Sequence, residues 1–574
     1  MMDAGTTTGV FRTALDVSAL AVVRLSLLVF AVGAVALAGA SAVADAGTAD
    51  PSDVDHRPTD DAVEITAVLP NPVADGDRGE YVVLSVPRKT NLSGWSIADD
   101  DAVAYLPNRT VSGRVLLTTD PDAVSGNGSI VHLPGSLPLS NAGERIELGR
   151  GNRTVDAVAY EDAPEGDLYV REDGRWTWRA RGATNRPVVR ATDAPVRSFV
   201  LPDRPDAPLS PLRNATDRIL LGGYTIASDR VVRALCGARD RGVRVRTLFE
   251  GGPVGGITTR MADDLDRLVA CGVEVSVIGG EHARYTFHHP KYAVVDDAAL
   301  VLTENWKPSG TGGRSNRGWG TLVRDAQIAA SLAETFRADA GYRDAIPWKR
   351  YRSTVTLVNA SGAATERYPT RFATRDANAT HVSLLVAPDN AASTIVSEID
   401  AAEDSIRVEQ MSIGSRNHPF VRAILRAARR GVTVRLLLGS SRYVRAENRK
   451  LIDWLNERAE AEGLPLEARL ATPRSRFGTI HAKGFVIDGT VVLGSVNWTN
   501  QSTRGNREVA LYIEDEAIAA YYTRVFRADW RGGVWSIPAG VLALVALALV
   551  GAWLFAARLT FGPGYSVSPA VVEP

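Results

Sequence analysis

Apolar and polar residues follow three rhythms along the chain. Between 62 and 162 the apolar runs are short and alternate with polar positions, as in "EYVVLSV" at 80–86, "RVLLTT" at 114–119 and "TVDAVAY" at 154–160, with Gly, Pro and Asn between them. A period of two puts every second side chain on one face, so this region predicts a small all-β sandwich. Beyond 196 the rhythm changes. "VVRALCGARDRGVRVRTLFEG" at 231–251 spaces its apolar residues three and four apart, stops at Gly242 and continues as an apolar strand; "VRAILRAARRGVTVRLLLG" at 421–439 does the same around Gly431. Helices alternating with apolar strands predict α/β units with a largely parallel sheet, here made twice. The third rhythm is unbroken apolarity near both ends.

The N-terminal run, "LSLLVFAVGAVALAGASAVA" at 25–44, follows Arg12 and Arg24 and ends in small residues. It makes 1–46 a secretory signal peptide or an N-terminal anchor. The C-terminal run, 534–557, lies uncharged between Arg531 and Arg558 with Trp535 and Trp553 toward its ends, and is expected to be a transmembrane helix. Together they predict a cell-membrane protein, tethered to the membrane through its C-terminal helix, with the bulk of the chain extracellular. Nine N-x-S/T sequons agree with export.

Composition narrows the field. With 45% hydrophobic and 23% charged residues the chain is a folded protein and not a disordered one. A net charge of −1 excludes a global basic field for nucleic acid. Two cysteines, Cys236 and Cys271, are too few for a disulfide framework; they could pair in an oxidising compartment, and the expectation is two small buried side chains. Only six of the 65 basic residues are Lys, which gives the position of each lysine weight.

The α/β region repeats itself in detail. "FHHPKYAVVDDAALVLTENWK" at 287–307 parallels "TIHAKGFVIDGTVVLGSVNWT" at 479–499, so that His289, Lys291, Asp296, Asn305 and Trp306 recur 192 positions later as His481, Lys483, Asp488, Asn497 and Trp498. Strand periodicity puts His481 and Lys483 on one face and Asp488 on the other. The residue types suit phosphoryl transfer. A neutral imidazole attacks an anionic phosphodiester without charge repulsion, and a second imidazole can protonate the leaving oxygen. Lysines and asparagines can hold the non-bridging oxygens as charge builds. No carboxylate or Cys cluster has metal-ligand spacing, so neither a metal nor another cofactor is expected.

The doubled H-x-K-x4-D, each followed by an Asn nine residues on, resembles the phospholipase D superfamily over about 196–531. The resemblance implies two similar α/β halves, 196–346 and 381–531, separated by a connector at 347–380 and meeting at one active site. It implies His289 and His481 as nucleophile and general acid, in the usual order of the family. Lys291, Lys483, Asn305 and Asn497 are implied as phosphate-binding, with Asp296, Asp488 and Ser495 in support. A carboxylate after each Asn usually orients the His. Glu508 in "NREVALYI" fits that part, whereas "NRGWGTLV" has Gly318 where the acid is expected. Two readings stay open: Glu304 or a carboxylate from elsewhere orients His289, or His481 with Glu508 behind it is the nucleophile. Adjacent His288 faces away from Lys291 and is read as structural.

In the β region, "NLSGWSIADD" and "LPLSNAGERIELG" resemble the lamin-tail domain, an immunoglobulin-like β module that serves mostly for binding or spacing. The stretch 163–195, with "RWTWRAR" at 175–181, reads as an interdomain linker. The fold class expected is therefore multidomain: an immunoglobulin-like β sandwich, duplicated phospholipase D-type α/β domains and a C-terminal membrane helix. The function expected is a metal-independent phosphodiesterase acting on nucleic acid or phospholipid; the alternative is a catalytically impaired surface binding or adhesion protein.

Overall fold

The computed structural model describes residues 62–74, 77–124, 128–135, 138–360, 362–473, 475–532 and 539–558. The segment 1–46 lies outside them. In the β domain, strands Glu64–Leu69, Tyr81–Asn91, Thr110–Thr118 and Ser129–His132 belong to one sheet, and Trp95–Ala98, Val103–Tyr105, Gly143–Arg150 and Arg153–Glu161 form the other. Alternation does what the pattern requires. Asp156, Val158 and Tyr160 of the last strand are buried, and Val158 joins Ile65, Val82, Ile97 and Leu148 from both sheets in one core. The domain does not end at 162. Asp167–Glu172 and Arg175–Ala180 add a hairpin to the first sheet. The hairpin's Trp176 and Trp178 lie 5.1 and 4.6 Å from the Tyr169 ring, so the aromatic residues expected in a linker are packing residues.

The repeat folds into two like halves sharing a sixteen-stranded sheet, joined where Val189–Leu201 pairs antiparallel with Arg375–Ala387. Parallel pairing is confined to three strands per half, Arg218–Gly223, Arg244–Glu250 and Glu274–Ile278, then Ser405–Gln410, Thr433–Leu438 and Leu466–Leu470, and to the short Thr479–Ile480, which lies parallel to Asn316–Val323 across the halves. The rest is antiparallel, so the largely parallel sheet expected from the helix–strand alternation is a mixed one. The reason is local. Lys291–Val295 and Ala298–Leu302 are separated by Asp296 and Asp297 alone, and a connection of two residues permits only antiparallel pairing. Asp296 (φ 52°) and Asp488 (φ 47°) take the left-handed conformation there. Their carboxylates accept backbone N–H groups, Asp296 from Asp217 and Arg218 at 2.8 and 3.0 Å and Asp488 from Asp404 and Ser405 at 3.0 and 2.7 Å.

The helices bury the stripes that their sequences carry. Asp229–Asp240 buries Val231, Val232, Leu235 and Ala238, and Pro419–Arg429 buries Phe420, Val421, Ile424 and Ala428. Ala326–Ala340 and Glu516–Trp530 are capped alike, Asp325 accepting from Ile328 N and Asp515 from Ile518 N. Each of these two helices ends on a fully buried aspartate, Asp339 or Asp529, and these cross between the halves. Arg317 donates to Asp203 of its own half (2.7 Å) and to Asp529 of the other (2.7 Å). Arg507 donates to Asp389 of its own half (2.7 Å) and to Asp339 of the other (3.0 Å).

Two expectations are corrected. Cys236 and Cys271 are not separate buried thiols: they form a disulfide (S–S 2.02 Å) between the helices Asp229–Asp240 and Thr259–Ala270. The transmembrane helix expected at 534–557 is not found, because among the described residues no helix is long and apolar enough to cross a membrane. The helix there runs Ala539–Ala556, 18 residues.

Removing one partner of a fully buried ion pair leaves uncompensated charge, so Arg507→Met should cost about 3–5 kcal/mol, read as a shift of the denaturation midpoint. The disulfide closes a loop of 35 residues. Cys236→Ser/Cys271→Ser should therefore lose about 3–4 kcal/mol on the chain-entropy account, seen as a lower Tm that added reductant does not lower further.

Candidate active site

The site forms at the carboxyl ends of the parallel strands, the edge where open α/β sheets place ligands. Lys291 pairs with Gly223 and Lys483 with Gln410, each the last residue of a parallel strand. Each lysine is the first residue of its own strand, and each histidine stands two residues earlier. Lys291 Nζ donates to the His289 carbonyl and Lys483 Nζ to the His481 carbonyl, the latter at 2.7 Å. The backbone N–H of each His is held by the opposite half. His289 N donates to Arg507 O and His481 N to Arg317 O, both at 3.0 Å. The two crossing arginines thus also carry the carbonyls on which the histidines hang.

The carboxylates cross in the same way. Glu508, next to Arg507, lies with both oxygens 2.9 Å from His289 Nδ1. Ser502 Oγ and Asn506 Nδ2 donate to Glu508 Oε1 at 2.5 and 3.0 Å. Glu508 therefore serves His289, not the His481 of its own half. Glu304 serves His481: Nδ1 donates to Glu304 Oε1 at 3.2 Å and to Thr303 O at 3.1 Å. Asn316 Nδ2 holds the other oxygen of Glu304 at 2.9 Å, as Asn506 holds Glu508. Glu304 occupies the space a side chain at 318 would need: a Cβ on Gly318 would fall 2.2 Å from Glu304 Cγ. The first half thus carries its acid at 304 with glycine at 318, and the second carries it at 508 with Val496 opposite. Glu304 was one candidate for orienting His289; it meets His481 instead, and the carboxylate from elsewhere that meets His289 is Glu508.

Acceptors at Nδ1 place the proton on that nitrogen and leave Nε2 of each ring as the reacting atom. Burial pushes His289 down to about 4, against the Glu508 charge that raises it. Burial also lowers His481, against Glu304. Lys291 and Lys483 are 0% and 2% exposed. Burial drives Lys291 well below the ordinary ammonium range and Lys483 down to about 8, and each lysine senses both carboxylates. Lys291 also feels Lys483, and His289 feels Lys483 as His481 feels Lys291, so the charged groups of the two halves share one locality. Glu508 stays below its ordinary range, although burial raises it, because His289 and Lys291 outweigh that. Asn305 and Asn497 each keep a buried Oδ1 without a partner. An anion lying among these cations would oppose the cost of burying them.

The remaining expected residues lie elsewhere. Asp296 and Asp488 hold turns at the far ends of the strands, and Ser495 Oγ is bonded to Val509 N at 3.0 Å, pinning the strand that begins with Glu508. His288 is fully buried with neither ring nitrogen hydrogen-bonded, its Nε2 3.9 Å from Asp339 Oδ2, and burial lowers it to about 4 against the Asp339 charge. The sequence reading passed over Tyr224, whose ring meets the His289 ring edge-on at 4.7 Å and lies 5.4 Å from Lys291 Nζ. The cavity of about 880 Å³ beside Asp296 contains none of the His, Lys or Asn groups.

Fold and site together define a class: a duplicated α/β scaffold whose halves each supply a His and a Lys to one composite centre. The family model described as cardiolipin synthase, PLD-like domain, matches residues 209–340 and 395–530, one segment per half. Through these two segments the chain belongs to the phospholipase D superfamily. The mitochondrial cardiolipin hydrolase of Xenopus tropicalis is 47% identical over 55 residues, 9% of this chain and 26% of that protein. Its Xenopus laevis counterpart is 44% identical over 55 residues, again 26% of its length. The chain thus spans about a quarter of the length of the curated relatives it matches. Among solved structures, a phosphatidylserine synthase of Haemophilus influenzae aligns with TM-score 0.44 and 13% identity over 57% of this chain and 84% of that one. Nuc, a phospholipase D family member of Salmonella typhimurium, aligns with TM-score 0.24 and 18% identity over 27% and 97%.

If Glu304 helps set the tautomer of His481, Glu304→Val should lower the population of the Nδ1–H form of that ring, with the Thr303 carbonyl as its remaining acceptor, read by nitrogen NMR with the eight histidines isotopically labelled. Adding Gly318→Glu, which gives the first half the arrangement of the second, should bring the signal back. A His481 signal indifferent to both changes would refute the assignment.

Proposed function

We propose that the chain is a phosphodiesterase working through a phosphohistidine, with His289 as nucleophile and His481 as general acid and base. The observation that carries this reading is the reciprocal bonding: each imidazole is held at Nδ1 by a carboxylate of the opposite half, beside two buried lysines. His289 Nε2 attacks phosphorus and forms a P–N bond. The bond to the leaving oxygen breaks as His481 gives that oxygen its proton. His481, now neutral, takes a proton from water, whose oxygen attacks phosphorus, breaks the P–N bond and frees His289. Lys291, Lys483, Asn305 and Asn497 hold the non-bridging oxygens through both displacements. These groups neutralise the phosphate without a metal ion. The nucleophile falls to His289 because Glu508 addresses it with both oxygens at 2.9 Å, whereas His481 has one Glu304 oxygen at 3.2 Å. The impaired-scaffold alternative rested on the acid missing at 318, and Glu304 supplies a carboxylate there.

The substrate class is a phosphodiester of nucleic acid or phospholipid. The chain is read as working outside the cytosol, which the Cys236–Cys271 disulfide and the signal-like segment at 1–46 support. The lamin-tail-like domain is read as a spacer or binding unit beside the catalytic halves.

Hydrolysis of bis(p-nitrophenyl) phosphate should survive chelator and drop by about 10³-fold or more in His289→Ala and in His481→Ala. A labelled phosphoryl group should be trapped on His289. Loss of turnover on chelation, or full turnover in both variants, would sink the reading. In the free enzyme the nucleophile must be neutral and the acid protonated. His289 titrates at about 4 and His481 below its ordinary 6.5. The plot of kcat/KM against pH should therefore be a bell on the acid side of neutrality, with its acid limb near 4.

A further inference from the structure

The two halves are not equivalent at the loop that follows the active-site asparagine. In half 1 this loop continues as Lys307, where half 2 has Thr499. Lys307 is one of only six lysines in the chain. Among the described residues its ammonium has no carboxylate partner and no side-chain hydrogen bond, and only burial acts on it, lowering its pKa. It stands close enough to Lys291 to depress that lysine. An ammonium without a counter-ion beside the phosphate-binding lysine is a place for a second negative group.

The same loop runs outward from there. Gly310 N and Gly312 N donate to Lys307 O at 3.1 and 3.0 Å, and Arg314 N donates to Pro308 O at 2.9 Å, so the turn is tightly folded on Lys307. Its outer side, with Pro308, Gly312 and Arg314, walls a concavity of about 470 Å³ that Arg233 and Arg260 face from two helices. Arg230 and Arg267 of the same wall are paired, with Asp206 and with Asp229 and Asp264. Among the described residues Arg233 and Arg260 have no ion pair, and Arg314 makes only a 3.5 Å bond to the Glu366 carbonyl. The wall also carries Asp229, Asp263 and Asp264, and Asp229 senses both Arg233 and Arg260. Five arginines against three aspartates leave an excess of two positive charges, a local basic track in a chain of net charge −1. Its apolar lining amounts to Ala227, Pro308 and Ala363, too little wall for acyl chains. The counterpart loop in half 2 offers no such path. Its Arg504 is bonded to Asp167 of the β domain, and the concavity there also holds Glu165.

We propose that Lys307 and the track of Arg233, Arg260 and Arg314 bind the phosphates that flank the scissile one in a nucleic-acid strand, so that the strand leaves the active site over half 1. This rests on the phosphodiesterase reading and narrows its substrate to a polyanion. Lys307 is the specificity-determining residue, because it meets the first neighbouring phosphate, which a single diester lacks.

The test uses the full chain and two probes, a fluorescent single-stranded oligodeoxynucleotide and bis(p-nitrophenyl) phosphate. Lys307→Gln should lower the ratio of kcat/KM on the oligonucleotide to that on the small diester about tenfold. Binding of the oligonucleotide, read by anisotropy in the His289→Ala background, does not depend on turnover. Each lost phosphate contact should lower the slope of log affinity against log salt by about 0.7, so Lys307→Gln should lose about 0.7 and Arg233→Gln/Arg260→Gln about 1.4. Arg524→Gln/Arg527→Gln, in the basic concavity beside Asp488 at the other end of the strands, is the control and should leave the slope as it was. An unchanged slope in the Lys307 and Arg233/Arg260 variants overturns the proposal. So does an equal loss in the control, or anionic phospholipid vesicles bound through these residues while the oligonucleotide is not. Failure of every variant and of the wild type to turn over either probe would instead strike the phosphodiesterase reading, with the anisotropy still deciding the track.

Discussion

Arg317 and Arg507 are guanidinium groups with no exposure at all, and a buried guanidinium is tolerable only if its donors are met. Each finds one aspartate in its own half and one at the end of the other half's helix. Neither half can satisfy its arginine alone, so docking the halves follows from the need to pair these charges. The same residues lend their carbonyls to the backbones of His481 and His289. The interaction that closes the interface therefore also sets where the two imidazoles sit. Glu508 follows Arg507 directly and comes into register with His289 by the same placement.

The exchange of acid and space between 304 and 318 shows what such a site holds constant. A carboxylate reaches an imidazole nitrogen from either of two neighbouring strand positions, provided the other position makes room. Half 1 has Glu304 with glycine at 318, and half 2 has Glu508 with Val496. The supporting asparagines, Asn316 and Asn506, stay in place and serve whichever carboxylate is present. The electrostatic arrangement is conserved between the halves while the residue carrying it has moved.

Burial gives the centre its chemistry. Water is excluded from both lysines, so their charge costs energy until an anion lies between them, and the two carboxylates supply only part of the compensation. The same exclusion lowers the pKa of both imidazoles, against the carboxylates that raise them. Around this symmetric core the surroundings differ. Tyr224 and Lys307 belong to half 1 alone, and the β domain leans on the half-2 loop through Asp167 and Arg504.

The chain on its own determined the parts that depend on local pattern. These are the alternation of the β domain, the helix stripes with their glycine stops, the duplication, and the spacing that puts His289 with Lys291 and His481 with Lys483. It also set Asp488 on the strand face away from His481 and Lys483, since alternation along a strand is a local property; that Asp296 and Asp488 hold the turns came from the structure. Only the tertiary structure decided which carboxylate meets which imidazole, because both bonds cross between residues about 180 to 220 positions apart. It alone decided that Cys236 and Cys271 meet, that the tryptophans near 176 close a sandwich rather than join domains, and that among the described residues no helix is long and apolar enough to cross a membrane. Local pattern tells which face of an element is apolar; it does not tell which element will cover that face, and the pairing of buried charges is settled only when the covering element arrives.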